Sequence, residues 1–287
     1  MISKSQSAWA CSVDHYNDEL LVASSLMSTN YEAIVYLKMD AQTQKIADAG
    51  WEVYRAPSES VYRYGDIPEL EGIGVLSYSS RLFQQALPPD LRRILVELVA
   101  EGIRGVIQSH DFIQRNIDPN AFEESIAQWS DFFIGSCIRF SSHERVRAII
   151  LEQLEKQAAS SRKKSSFRRQ KSYHIFSNPN GSLSASAGFI DAHHELLLSV
   201  SFSPRGEVTD ITGRLLRSPY DGCRLGLELL PRLIGKNLAE MQKKEIANFV
   251  GGCSGCTHIL EMCYDLGLAI SAAETQVKLP GRQTCHG

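Results

Sequence analysis

The sequence predicts an α+β protein built as a tandem duplication, a three-stranded antiparallel meander followed by helices, twice over. Three observations carry that prediction. Residues 21–57 align with residues 183–219, placing Tyr31 over His194 (194 − 31 = 163) and Arg55 over Arg217 (217 − 55 = 162), with one residue lost at the "SPRGE" turn. Both stretches alternate apolar and polar residues at period two and break at turn-forming residues, as strands with one wet face do. Each closes on Arg-x-Pro, at 55–57 and 217–219, and helical spacing follows.

In chain order, the first meander leads to a helix over 91–108, with apolar residues at 91, 94, 95, 98, 99, 103 and 106. The "IGSCIRF" stretch (134–140) then makes a Gly-x-Cys step into a further helix. From Lys156 to Lys171 seven basic residues occur with no acidic one, which breaks the periodicity and reads as an exposed basic hinge. After the second meander, residues 223–250 resume a helical rhythm interrupted by Pro231 and Gly235, and "SGCTHIL" (254–260) makes a similar glycine-cysteine step into a further helix. The expected organisation is therefore a ligand-free N-terminal repeat (1–150), a basic linker (151–172) and a C-terminal domain (173–287) carrying the chemistry. The first repeat has Ser28, Asn30 and Tyr31 where the second has Asp191, His193 and His194, and Arg139 where the second has His258.

Composition narrows the function. At 287 residues, 43% of them hydrophobic and 22% charged, the chain has the make-up of a packed protein. Thirty Lys and Arg against 33 Asp and Glu leave a net charge of −3, which gives no global argument for nucleic acid. The N-terminus lacks the apolar core of a secretory signal and no run is long enough to span a membrane, so a soluble, cytoplasmic protein is expected. Seven cysteines, an odd number without an export signal, argue for free thiols rather than a disulfide framework.

Metal-ligand atoms gather in residues 183–263: Asp191, His193 and His194 at the head of a strand, Cys223 after a Tyr-Asp-Gly turn, and Cys256 with His258 at the start of a helix. Thiolate and imidazole suit zinc and iron, and a carboxylate completes either sphere. Cys223 and Cys256, read as helix N-terminal residues, are expected to have lowered thiol pKa values. His193 and His194 are neighbours on a strand, so at most one should enter a single site. Cys263, two turns beyond Cys256, reads as a core residue, as does Cys137. Cys253-x-x-Cys256 alone leaves a metal half-site, a redox pair and a structural lead-in open.

A meander opening with a ligand, a Cys after its last strand and a ligand pair before a final helix resembles the U-type iron-sulfur scaffold fold. A closer resemblance is to an uncharacterised bacterial family known only as a domain of unknown function. It rests on Asp191, His194 before "ELLLSVSF", "SPYDGC" (218–223), "LIGKNL" (233–238), "GGCSGCTHI" (251–259) and "AAETQV" (272–277). The loop between Asp191 and His194 is shorter than that family's, and Cys253 is an extra thiol.

The expectation is one zinc or iron ion per chain, held by some four of Asp191, His194, Cys223, Cys256 and His258. His193 or Asp191, whichever is not a ligand, is the candidate catalytic acid/base. The function expected is a metal-dependent lyase or hydrolase acting on a small organic molecule. The scaffold resemblance implies the alternative, a carrier of a [2Fe-2S] cluster or a structural metal-binding module. A homodimer stays open as a partner.

Overall fold

The computed structural model describes residues 1–57, 62–109, 122–158 and 166–277. Nine strands make one antiparallel sheet: β1 (Ile2–Tyr16), β2 (Glu19–Ser28), β3 (Glu32–Asp40), β4 (Ile46–Arg55), β5 (Arg63–Asp66), β6 (Ser166–Ser177), β7 (Leu183–Asp191), β8 (Glu195–Phe202) and β9 (Val208–Arg217). Their order is β5-β4-β3-β2-β1-β6-β7-β8-β9, so each run of consecutive strands spreads outward from the central β1–β6 pair. The N- and C-terminal regions thus share one sheet.

Burial alternates along β2, β3 and β8, as the period-two reading requires. On one face Val22, Val35, Leu37, Leu196 and Leu198 are buried, and on the other Leu21, Tyr36, Ile190 and Leu197 are exposed. The helices that cover the inner face are α1 (Arg92–Gln108), packed on β1 to β3, and α5 (Thr257–Val277), packed on β1, β6 and β7. Three further helices, α2 (Phe122–Phe133), α3 (His143–Ala158) and α4 (Lys243–Val250), complete this layer. In α1 the buried stripe is Leu95, Leu98, Val99, Ile103 and Val106, each contributing roughly 1.5–3 kcal/mol of transfer free energy when fully buried. Gly102 and Gly105 let α1 close on the sheet, since a Cβ at Gly105 would sit 2.5 Å from the Cys11 sulfur and one at Gly102 2.9 Å from the Ser24 hydroxyl.

Three sequence expectations change. The runs have five and four strands rather than three, because β1 and β6 precede the expected meanders and β5 follows the first. The basic hinge is not a hinge at its ends: residues 151–158 finish α3, and residues 166–172 begin β6, at the centre of the sheet. Residues 159–165, like Cys285, lie outside the described residues. The helix expected over 223–250 is a 3-10 run (Asp221–Leu233), a turn and α4. Pro231 cannot supply an α-helical N–H, and Gly235 takes φ of +81°, a left-handed turn that ends the run.

Burying β6 buries its charges. Arg169 and Lys171 point inward and are 2% and 1% exposed, which is tolerable only with partners. Arg169 meets Glu101 of α1 at 2.8 Å and Glu261 of α5 at 2.7 Å, and Lys171 bridges Glu101 and Asp265 at 2.7 Å each. Arg104 of α1 joins the same acids, 2.9 Å from Glu101 and 2.8 Å from Glu261. With Lys243 3.9 Å from Glu261, four cations and three carboxylates meet between sheet and helices.

Candidate metal centre

The site begins at the turn between β7 and β8. Asp191 accepts hydrogen bonds from the backbone N–H groups of His193 (2.7 Å) and His194 (2.6 Å), an Asx turn that fixes its carboxylate. The same carboxylate lies 3.1 Å from Nδ1 of His194. Arg217 of β9 clamps the turn from outside, donating to the carbonyl oxygens of Asp191 (2.7 Å) and Ala192 (2.9 Å). The 28–31 turn is built alike: the Ser28 hydroxyl accepts from Asn30 and Tyr31 N–H, and Arg55 donates to the carbonyls of Ser28 and Thr29.

Opposite the 191–194 turn stands the start of α5. Gly255 makes this entry possible, because a Cβ there would collide with the Val250 carbonyl oxygen. His258, in the first turn of α5, packs on His194 with ring centroids 4.0 Å apart and the rings tilted by 38°, and against Phe189 at 4.8 Å. Asp191, His194 and His258 each offer a ligand atom, all within 4.8 Å of one another.

Gln108, the last residue of α1, sets the protonation of His258. Arg169 Nη1 donates to the Gln108 side-chain oxygen at 2.7 Å, and an arginine can only donate. The amide nitrogen of Gln108 therefore faces His258 Nε2, 3.1 Å away, and Nε2 accepts. The proton of the neutral ring then sits on Nδ1, which faces the Cys256 sulfur at 3.9 Å. The lone pair needed by a metal is thus already on Nε2, with a hydrogen bond from Gln108 in the place a metal would take. Burial, then the neighbouring His194, draws the His258 imidazole down to about 3, so the ring is neutral at ordinary pH. Burial by itself would raise the Asp191 carboxyl. The hydrogen bonds from His194 and from the His193 N–H outweigh it, and hold Asp191 well below the usual carboxylate range.

These groups open on a cavity of about 300 Å3. Its lining includes Asp191, His193, His194, Cys223, Cys256 and His258, so every candidate residue from the sequence faces one space. Residues before the second meander complete it: Gln108 from α1, and Phe132, Phe133, Cys137, Arg139 and Phe140 from the α2–α3 region.

Residues 146–271 match the family described as a protein of unknown function, DUF2889. No curated protein and no solved structure matches the chain. The DUF2889 stretch contains all six candidate residues, and it runs from α3 into α5. Gln108 and the phenylalanine wall precede it, so the cavity joins DUF2889 residues to others outside the match.

The structure revises the donor set. Cys223 and Cys256 line the cavity but do not belong to the close group of donors. Nor are their thiols activated: burial pushes Cys256 up to about 12 and raises Cys223 as well. The expected lowering fails because Cys223 heads a 3-10 run and Cys256 is packed against Gly226, where desolvation exceeds the pull of any helix terminus. Asp191 reaches the site despite the short loop. His193 reaches the cavity beside His194, because both lie in the turn ahead of β8 and the strand alternation does not apply. Cys263 is fully buried, as expected, whereas Cys137 is a cavity residue rather than a core one. Arg139 lines the same cavity as His258. The 28–31 turn instead faces Asp90 and Arg93 beside the start of α1. Gln108 gave no sequence signal beyond being a polar residue at a helix end.

Proposed function

We propose that the chain is a metal-dependent enzyme of lyase or hydrolase type acting on a small organic molecule, with zinc or iron held by Asp191, His194 and His258. The observation that carries this reading is the convergence of one carboxylate and two imidazoles on a single cavity. Three protein ligands with further positions left to water or substrate are characteristic of catalytic rather than structural sites, and two histidines with a carboxylate suit both zinc and non-haem iron. When bound, such a metal supplies Lewis acidity, polarising a carbonyl or lowering the pKa of a water. The chain's own residues do the rest. The Asx turn and Arg217 hold Asp191, Gln108 holds His258 in the required tautomer, and the phenylalanines exclude water. His193 is the candidate acid/base, since Asp191 belongs to the ligand group.

A tandem duplication belongs to the same proposal. It is supported by the matching strand runs on either side of β1–β6 and by the alike turns at 28–31 and 191–194. In this reading Tyr31 stands in the place of His194, and only the second copy keeps ligand chemistry. The iron-sulfur carrier has less support, because a cluster needs accessible thiolates, and burial keeps Cys223 and Cys256 protonated.

Metal analysis of the full chain made without a histidine tag tests the function. About one zinc or iron per chain, lost in His194→Ala, supports it. A brown protein bleached by dithionite, or a metal-free one, contradicts it.

A further inference from the structure

Arg139 lies in the cavity wall, where the metal reading gives it no task. It lines the space together with Phe132, Phe133 and Phe140, its guanidinium carbon 5.9 Å from the Phe140 ring centroid. Among the described residues, no carboxylate lies within the 4.0 Å of an ion pair with it. Arg139 is half-buried, and in lacking a carboxylate it differs from Arg104, Arg169 and Lys171, which each meet carboxylates at 2.7–2.9 Å. Burial draws the Arg139 guanidinium below its ordinary value, and the groups that counter it are the thiols Cys223 and Cys137 and the more distant Glu152. Cys223, itself raised by burial, brings no negative charge. A cation withdrawn from water without an anion beside it is unfavourable, and a ligand that carries the anion relieves the penalty.

We infer that Arg139 is the carboxylate-binding residue of this cavity, and that the substrate is a small carboxylic acid with a flat apolar body, of which a one-ring aromatic acid is the best fit. This rests on the cavity being the reaction site proposed above. The guanidinium fork matches a carboxylate with two parallel hydrogen bonds. One cation among phenylalanines balances a monoanion better than a doubly charged phosphate. Phe132, Phe133 and Phe140 give the apolar body an aromatic wall, and about 300 Å3 is at the small end of ligand pockets. Asp191 and His194 come from the β7–β8 turn and Arg139 from the segment between α2 and α3, so anchor and metal group line the cavity from different elements.

Calorimetric titration of the full, untagged chain with benzoate, benzamide and acetate tests this, with metal content measured on the same samples. Wild-type protein is expected to bind benzoate at least tenfold more tightly than benzamide or acetate. Arg139→Gln should lose the preference for benzoate over benzamide while keeping benzamide binding and metal content. Arg139→Lys, which keeps the charge without the fork, should retain part of the preference and decides the matter if the glutamine variant does not fold. Equal affinity for benzoate and benzamide in the wild type overturns the inference. So does a preference that survives in both variants, since the carboxylate would then be bound by the metal or another group. The two readings fail separately: a metal-free protein that still prefers benzoate through Arg139 removes the enzyme proposal alone, and a metal-loaded protein without the preference removes the anchor alone.

Discussion

Gln108 shows how a residue without chemistry of its own shapes the site. Its amide is oriented by Arg169 and in turn fixes which nitrogen of His258 carries the proton. Because its amide occupies the Nε2 lone pair that a metal would take, Gln108→Leu is expected to tighten zinc binding in a competition titration; unaltered affinity would show that the contact does not compete with the metal. Cys223→Ser should leave metal content as it is, because Cys223 is outside the donor group. At this scale the sequence was informative about residue types and silent about geometry. Asp191, His194 and His258 stood out because imidazoles and carboxylates at strand and helix ends have few structural uses. The cysteines stood out equally, yet their burial, which no local pattern reveals, keeps them protonated.

Among the elements, β6 is the one whose sequence conceals it. Its inward face reads Phe167, Arg169, Lys171, Tyr173, Ile175, so two charges interrupt the apolar alternation and the stretch resembles a solvated hinge. Only the acids of α1 and α5, distant in sequence, turn it into a central strand. β1 was hidden for a related reason, since Ser5, Ser7 and His15 occupy inward positions. The outer strands β2 to β4 and β7 to β9, and helix α1, were legible because their buried positions are apolar at the expected period. Lys171→Met leaves Glu101 and Asp265 short of a counter-charge. Removing one partner of a buried pair costs about 3–5 kcal/mol, so denaturant unfolding should report a loss of that order. A change under about 1 kcal/mol would mean the network carries little of the stability.

For the molecule as a whole, the β1–β6 seam makes the two halves a single sheet, and the ion network behind it ties stability to pH. Burial favours the protonated form of Glu101, but Arg169, Lys171 and Arg104 outweigh it and hold the carboxyl at about 2, against 4.5 ordinarily. A depressed carboxyl stabilises the fold above its unfolded pKa, and that stabilisation is lost as pH falls toward the folded value. The melting temperature should accordingly drop between about pH 4.5 and 2, more steeply in the wild type than in Glu101→Gln. Equal slopes in both proteins would remove Glu101 from the account.

Cobalt substitution addresses the donor set most directly. Metal-stripped wild-type protein titrated with Co(II) is expected to bind one equivalent, with visible d–d absorption and without the near-ultraviolet charge-transfer band of a thiolate ligand, because Asp191, His194 and His258 are the donors. Failure to bind cobalt, or a thiolate charge-transfer band that disappears in Cys223→Ser or Cys256→Ser, would contradict the carboxylate–imidazole site.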